Sequence, residues 1–259
     1  MTTVNNVLQT LTFFAPLDAK MDFDNVGLLV GDSGAEVTRV LVALDITSAV
    51  IDEAAALGAQ LIVSHHPILF STKNITDTTL TGRKLMALLS HGIAAICMHT
   101  NLDAAAGGVN DALAGALGLQ NVELLEAPPA YGRLGNLAAP LPLSDFLPNV
   151  KTALNSNGLR FNDAGHEVSR VAVVCGGGGS DTDYLYRALA SGCDTFVTAD
   201  VKYNVFLDAR ELGINLIDAD HFCTENPVVA VLQEHLCREF PTLDVSISDV
   251  HGQTAQFYV

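Results

Sequence analysis

An α/β fold with mixed, largely parallel sheets is the class this sequence predicts, and three observations carry the prediction. Amphipathic stretches that end at a glycine recur along the chain, and a short apolar run begins almost directly after each glycine. Those apolar runs have the length and bounding residues of buried strands, and helix followed by apolar strand, repeated, is the pattern of parallel sheets covered by helices. Each run also stays apolar until its carboxyl end and turns polar there, where open α/β sheets place their ligands.

The elements follow in order. The stretch from Ala54 reads A-A-A-L-G-A-Q-L-I-V-S-H-H, and the one from Ala87 reads A-L-L-S-H-G-I-A-A-I-C-M-H-T. Later come A-L-A-S-G-C-D-T-F-V-T-A-D from Ala188 and A-R-E-L-G-I-N-L-I-D-A-D-H from Ala209. Gly58, Gly92, Gly192 and Gly213 stand where a left-handed residue closes the last turn of a helix, a conformation glycine adopts without penalty. The strands after them deliver His65 and His66, His99, Asp200, and the run Asp218-Ala219-Asp220-His221. Helical periodicity restarts at Leu143, Val171–Cys175 is a strand, and Pro227 to Phe240 is a helix with Asn226 as N-cap and Pro227 in its first turn. Paired prolines and glycines in E-A-P-P-A-Y-G-R-L-G from Glu126 interrupt both periodicities, which predicts two α/β domains, residues 1–126 and 127–259.

Composition removes several function classes. Thirteen basic against 29 acidic side chains give a formal net charge of -16 over 259 residues, which repels phosphate backbones and anionic lipid and excludes a broad nucleic-acid-binding face. Five cysteines, Cys97, Cys175, Cys193, Cys223 and Cys237, form no C-x-x-C pair and sit mostly in apolar runs, so they read as small core residues in a reducing compartment. The start of the chain lacks a basic, apolar leader, and no apolar run approaches the ~18 residues that span a bilayer. A cytoplasmic protein is the expectation.

Three polar clusters carry the chemistry. In V63-S-H-H-P, adjacent side chains on a regular strand face opposite ways, so His65 and His66 suit two ions better than one. In M98-H-T-N-L-D-A-A-A-G-G, His99 ends a strand and a polar loop carries Asp103, whose two oxygens can bridge cations, while His99 or Asn101 orients a ligand or holds the loop. In I217-D-A-D-H-F-C-T-E-N-P, His221 and Glu225 precede the helix at Pro227 and are expected to converge through a loop. Imidazole with carboxylate is the donor mixture of Zn, Mn, Fe, Co or Ni rather than of Ca. The glycine run V174-C-G-G-G-G-S-D-T lacks the spacing of a phosphate loop, and Asp181 and Asp183 oppose an anion, so close backbone packing is its expected role.

Together these segments resemble the NIF-three-like family (NGG-one-interacting factor three), whose bacterial members are labelled GTP cyclohydrolase I type 2. The resemblance rests on F23-D-N-V-G-L-L-V-G-D, A43-L-D-I-T, L61-I-V-S-H-H-P-I-L-F, H99-T-N-L-D-A-A-A-G-G-V-N-D, G132-R-L-G, V174-C-G-G-G-G-S, D200-V-K-Y and D218-A-D-H-F-C-T-E, in family order across nearly the whole chain. It implies a two-domain subunit with a dinuclear site between the domains, two divalent metal ions per chain held by His65, His66, Asp103, His221 and Glu225, and a homohexameric ring. Three segments depart from the family pattern. Asp220 stands where glycine is usual before the last metal histidine, Ala199 and Asn204 replace glycine and histidine in T-G-D-x-K-Y-H, and Phe23 replaces a common tryptophan.

Two functions fit these features. One is metal-assisted hydrolysis of GTP or another nucleotide-like phosphate compound, with His99 or Asp220 as general acid or base. The other is a metal-binding regulatory or scaffold protein, in which protein ligands close the coordination shell.

Overall fold

The computed structural model describes residues 1–71, 74–125 and 131–258. The chain forms two compact units, Met1–Ala105 with Val229–Gly252, and Ala106–Val228 with Gln253–Val259. The expected break after residue 126 falls at 126–130, outside the described residues. The units part after Ala105 instead, because the strand at Gln120–Leu124 pairs with the one at Arg133–Leu141 and so joins the second sheet, while the strand at Asp244–Ile247 returns to the first.

In the first unit the elements are α1 (Val4–Phe14), β1 (Gly27–Val30), β2 (Arg39–Ala43), α2 (Ser48–Leu57), β3 (Leu61–Ser64), α3 (Leu80–Ser90), β4 (Ala94–Cys97) and α4 (Thr100–Ala104). The second unit holds α5 (Val109–Ala116), β5 (Gln120–Leu124), β6 (Arg133–Leu141), α6 (Leu143–Ala153), β7 (Arg160–Asn162), β8 (Val168–Val173), α7 (Asp183–Ala190), β9 (Thr195–Thr198), α8 (Tyr203–Leu212), β10 (Asn215–Asp218) and α9 (His221–Glu225). Helix α10 (Pro227–Glu239) carries the chain back to the first unit, where β11 (Asp244–Ile247) ends it.

Both sheets are mixed. The first has the order β1-β4-β3-β2-β11, with β4, β3, β2 and β11 mutually parallel and β1 antiparallel on the edge. The second has the order β5-β6-β8-β9-β10-β7. Its centre, β8-β9-β10, is parallel, and antiparallel strands flank it on both sides.

Local chemistry accounts for these elements. Helix α2 starts at Thr47, whose hydroxyl accepts a hydrogen bond from the Val50 N–H at 3.1 Å, and stops at Gly58 with φ 67°. Gly213 caps α8 in the same way with φ 70°. The central strands are buried on both faces, as parallel strands under helices must be. Leu41, Ile62, Val50, Ile51, Leu85 and Leu88 form the core of the first unit, and Ala172, Phe196, Leu216, Leu185, Val205 and Ala209 that of the second. Each large aliphatic or aromatic side chain so placed contributes roughly 1.5–3 kcal/mol. The sheets are thereby rigid platforms, and the polar residues beyond their carboxyl ends inherit that rigidity. No helix among the described residues is long and apolar enough to cross a membrane.

Candidate metal centre

In the first unit, β3 stops at Ser64, one residue before the histidine pair. The His66 N–H donates to the Leu44 carbonyl at 2.9 Å, which extends the parallel bonding to β2 one step past Ser64. The two rings nevertheless approach each other, with centroids 4.9 Å apart, rather than diverging as side chains on a regular strand are expected to do. Strand β4 ends beside β3, and His99 follows as the residue preceding α4. Its ring centroid is 5.1 Å from that of His65 and 5.6 Å from that of His66. One ring nitrogen from each of His65, His66 and His99 lies within 4.8 Å of the others, a spacing that can hold a metal ion. Asp103, expected on a loop, sits on the short helix α4, is 8% exposed, and has Oδ1 3.6 Å from His65 Nε2. Asn101 is the residue that anchors this segment, donating from Nδ2 to the Ala15 carbonyl at 2.8 Å.

In the second unit, β10 ends at Asp218 and α9 begins at His221. The expected loop between His221 and Glu225 is a five-residue helix, so the pair meets across one turn, at i and i+4, with Nε2 3.2 Å from Oε2. The helix is too short to display periodicity in the sequence, yet its N-cap is present: the Asp220 carboxylate accepts from the Cys223 N–H at 3.4 Å. The glycine turn after β8 packs directly against this pair. A Cβ on Gly176, whose φ is +55°, would lie 2.1 Å from Glu225 Oε1 and 3.1 Å from His221 Nε2. The Gly176 N–H also donates to the Thr224 hydroxyl at 3.0 Å. Close packing, the role expected of the glycine run, is thus what Gly176 provides.

All four imidazoles share one arrangement. Nδ1–H donates to the Met98 carbonyl in His65 at 2.9 Å, to Asp45 in His66 at 2.8 Å, to Asp24 in His99 at 2.8 Å and to Asp200 in His221 at 2.8 Å. A carbonyl or carboxylate can only accept, so each bond places the proton on Nδ1 and directs the ring through Nε2. A buried or half-buried histidine held at Nδ1 by a carboxylate or carbonyl is the usual outer support of a metal ligand.

The supporting carboxylates are tuned to the same end. Burial alone would raise the Asp24 pKa, but hydrogen bonds from His99 and from the Thr100 hydroxyl and N–H outweigh it and hold the carboxyl well below the usual range. Burial is likewise overcome at Asp45, which takes hydrogen bonds from His251 and His66 and stays well below the usual range. For His221, burial disfavours the imidazolium, yet Asp200 and Glu225 on its two nitrogens push its pKa up to about 11. The proton on Nε2 is held there by Glu225, and a metal ion binding at Nε2 would displace it and take its place beside the carboxylate. The residues therefore fit a metal: neutral-capable imidazoles, carboxylates, and outer partners for each ring.

The structure brings His65, His66, His99 and Asp103 together in one unit and His221 with Glu225 in the other. Asp220 faces its own helix as a cap. Sequence spacing pairs none of Asp24, Asp45 and Asp200 with its histidine, nor His251 with Asp45, because each contact is made between separate segments. The signal available was an acid just past a strand end, as at Asp45 after β2 and Asp200 after β9. Cys97, Cys175, Cys193 and Cys223 are buried, Cys237 is exposed, and all five are free thiols.

Fold and donors together define an α/β protein with candidate histidine and carboxylate metal-binding groups. The sequence model of the Duf34/NIF3 (NGG1p interacting factor 3) family matches residues 2–254, and the chain belongs to that family. It is similar to a GTP cyclohydrolase 1 type 2 homolog of Clostridium perfringens, 35% identical over 238 residues, covering 89% of this chain and 90% of the relative. A GTP cyclohydrolase 1 type 2 homolog of Clostridium acetobutylicum is 37% identical over 243 residues, with 90% and 89% covered. Among solved structures, a Bacillus cereus protein related to NIF3 shares the fold with a TM-score of 0.93 at 24% identity, covering 100% of this chain and 99% of its own.

Proposed function

We propose that the chain is a dinuclear metal-dependent hydrolase acting on a nucleotide or related phosphate compound, of the kind its relatives' label, GTP cyclohydrolase 1 type 2 homolog, describes. The observation that carries this reading is the uniform tethering of Nδ1 in His65, His66, His99 and His221, which leaves Nε2 of each as the coordinating or proton-accepting atom. His65, His66, Asp103, His221 and Glu225 are the proposed ligands of two divalent cations. Bound there, the cations supply Lewis-acid activation of water and of an electrophilic substrate atom. Zn, Mn, Fe, Co and Ni all suit such donors.

His99 is assigned the acid–base role in this reading. The ionised Asp24 carboxylate keeps a proton on Nδ1, orients the ring and stabilises the imidazolium formed when Nε2 takes up a proton. Asp220, the other acid–base candidate, is engaged as a helix cap and is the weaker choice. Assembly into a homohexamer, which rests mainly on the family resemblance, and a place in the cytoplasm, which rests on the cysteine usage, belong to the same proposal.

The test quantifies metal in the purified protein, then follows hydrolysis of GTP and a nucleotide panel with and without chelator. Two ions per chain and chelator-sensitive turnover are expected, with His99→Ala losing turnover while retaining most of its metal. Failure to hydrolyse any nucleotide when loaded with Zn, Mn or Fe, together with chelator-sensitive binding of a protein partner, would move the assignment to the regulatory scaffold.

A further inference from the structure

A cavity of 360 Å³ opens beside His66 in the first unit, with Asp45, His66, Phe70, Ser71, Thr81 and Lys84 in its wall. Its size lies within the range of small-molecule sites. Thr81 and Lys84 come from α3, three positions apart and so on one helix face, while His66 comes from the end of the β3 strand. Lys84 is half-buried and makes no hydrogen bond or ion pair among the described residues. Burial lowers its pKa and the Asp45 charge raises it. The Asp45 carboxylate itself is occupied on both oxygens, by His66 at 2.8 Å and by His251 at 2.8 Å. Its negative charge is therefore shared with two imidazoles, and among the described residues Lys84 is the lysine in the cavity wall.

An ammonium held half out of water next to two hydroxyls, with no hydrogen-bond acceptor among the described residues, has donors left for an anion to accept. We infer that this cavity is the anchoring subsite for a substrate phosphate, with Lys84 as its positioning cation and Ser71 and Thr81 as hydroxyl donors, set so that the rest of the substrate extends to His66. Phe70, 55% exposed, gives the subsite an apolar wall for the group that bears the phosphate. In a chain of net charge -16, the local positive charge of Lys84 is what makes an anionic ligand acceptable at this point. The inference deepens the hydrolase reading and rests on it for the substrate class, while its binding step does not require turnover.

Calorimetric titration of the metal-loaded protein with inorganic phosphate, and with acetate as a monovalent control, tests the subsite. Wild type is expected to bind phosphate more tightly than acetate, and Lys84→Met to weaken phosphate roughly 10–100-fold, the loss of one charge-assisted contact. Lys84→Arg should recover part of that loss, and the metal content and melting temperature of all three proteins should agree. Chelator-treated wild type should still prefer phosphate over acetate in a Lys84-dependent way. Phosphate binding that is unchanged in Lys84→Met, binding that disappears on chelation, or equal affinity for acetate and phosphate would each overturn the subsite. If Lys84→Met weakens phosphate as expected and yet no nucleotide is hydrolysed by wild type, the subsite stands and the hydrolase reading falls.

Discussion

Asp220 occupies a backbone conformation, φ 75° and ψ 141°, in which any side chain is strained, at a cost of order 1–3 kcal/mol. In exchange its carboxylate caps α9, a contribution that glycine replaces with a loss of only a few tenths of a kcal/mol. The strain exceeds the capping benefit, so Asp220→Gly should stabilise the protein by about 1 kcal/mol, a rise in melting temperature of roughly 2–4 °C. Unchanged metal content would separate this residue from the ligand set, and a lower melting temperature would show that the cap outweighs the strain. The same balance explains why the family resemblance puts glycine here. Asp200 poses the complementary case. Its φ of 53° is one that asparagine tolerates equally well, so Asp200→Asn removes the charge behind His221 without disturbing the backbone. Metal titration should show affinity roughly tenfold weaker, the lower end of what such outer partners contribute, with circular dichroism unchanged.

At the scale of elements, Gly176 decides whether α9 can present its pair. Its positive φ and the 2.1 Å approach a Cβ would make to Glu225 Oε1 leave no room for a side chain. Gly176→Ala should cost about 1–3 kcal/mol and displace Glu225, which elemental analysis would read as lost metal. Gly177→Ala is the control, because its nearest neighbour would be Ser180 Oγ at 4.0 Å, and both stability and metal content should be kept. What the sequence made legible here follows from length and distance. The apolar runs that lead to His65, His99 and Asp218 have abrupt polar ends, so the clusters and the α/β class could be read directly. The turn of helix between His221 and Glu225 could not, since five residues carry no periodicity. Nor could the distance between the His65 and His66 rings be read, since the ring orientations are held by long-range bonds to the Met98 carbonyl and to Asp45. The division after Ala105 depends on β5 pairing with β6 and β11 with β2, long-range choices that local punctuation at residues 126–130 does not encode.

For the whole molecule, net charge and exposed apolar surface pull in opposite directions. Phe13 is 92% exposed, Tyr203 78% and Phe23 67%, and a mean hydropathy of +0.32 is high for a chain that keeps such side chains in water. These residues are the kind an interface between copies would cover, in keeping with the hexamer proposed from the family resemblance. Yet every copy brings a formal charge of -16, so assembly must work against repulsion that is long-ranged at low salt and screened within about 8–10 Å near physiological ionic strength. Multi-angle light scattering across a salt series should therefore give the hexamer mass at 0.15 M salt and above, with dissociation favoured as salt is lowered into the millimolar range. Hydrophobic contacts would gain from added salt as well, so both contributions share a sign. A monomer at every ionic strength would remove the hexamer, and a hexamer that dissociates as salt rises would show that ion pairs, rather than apolar contacts, hold the copies together.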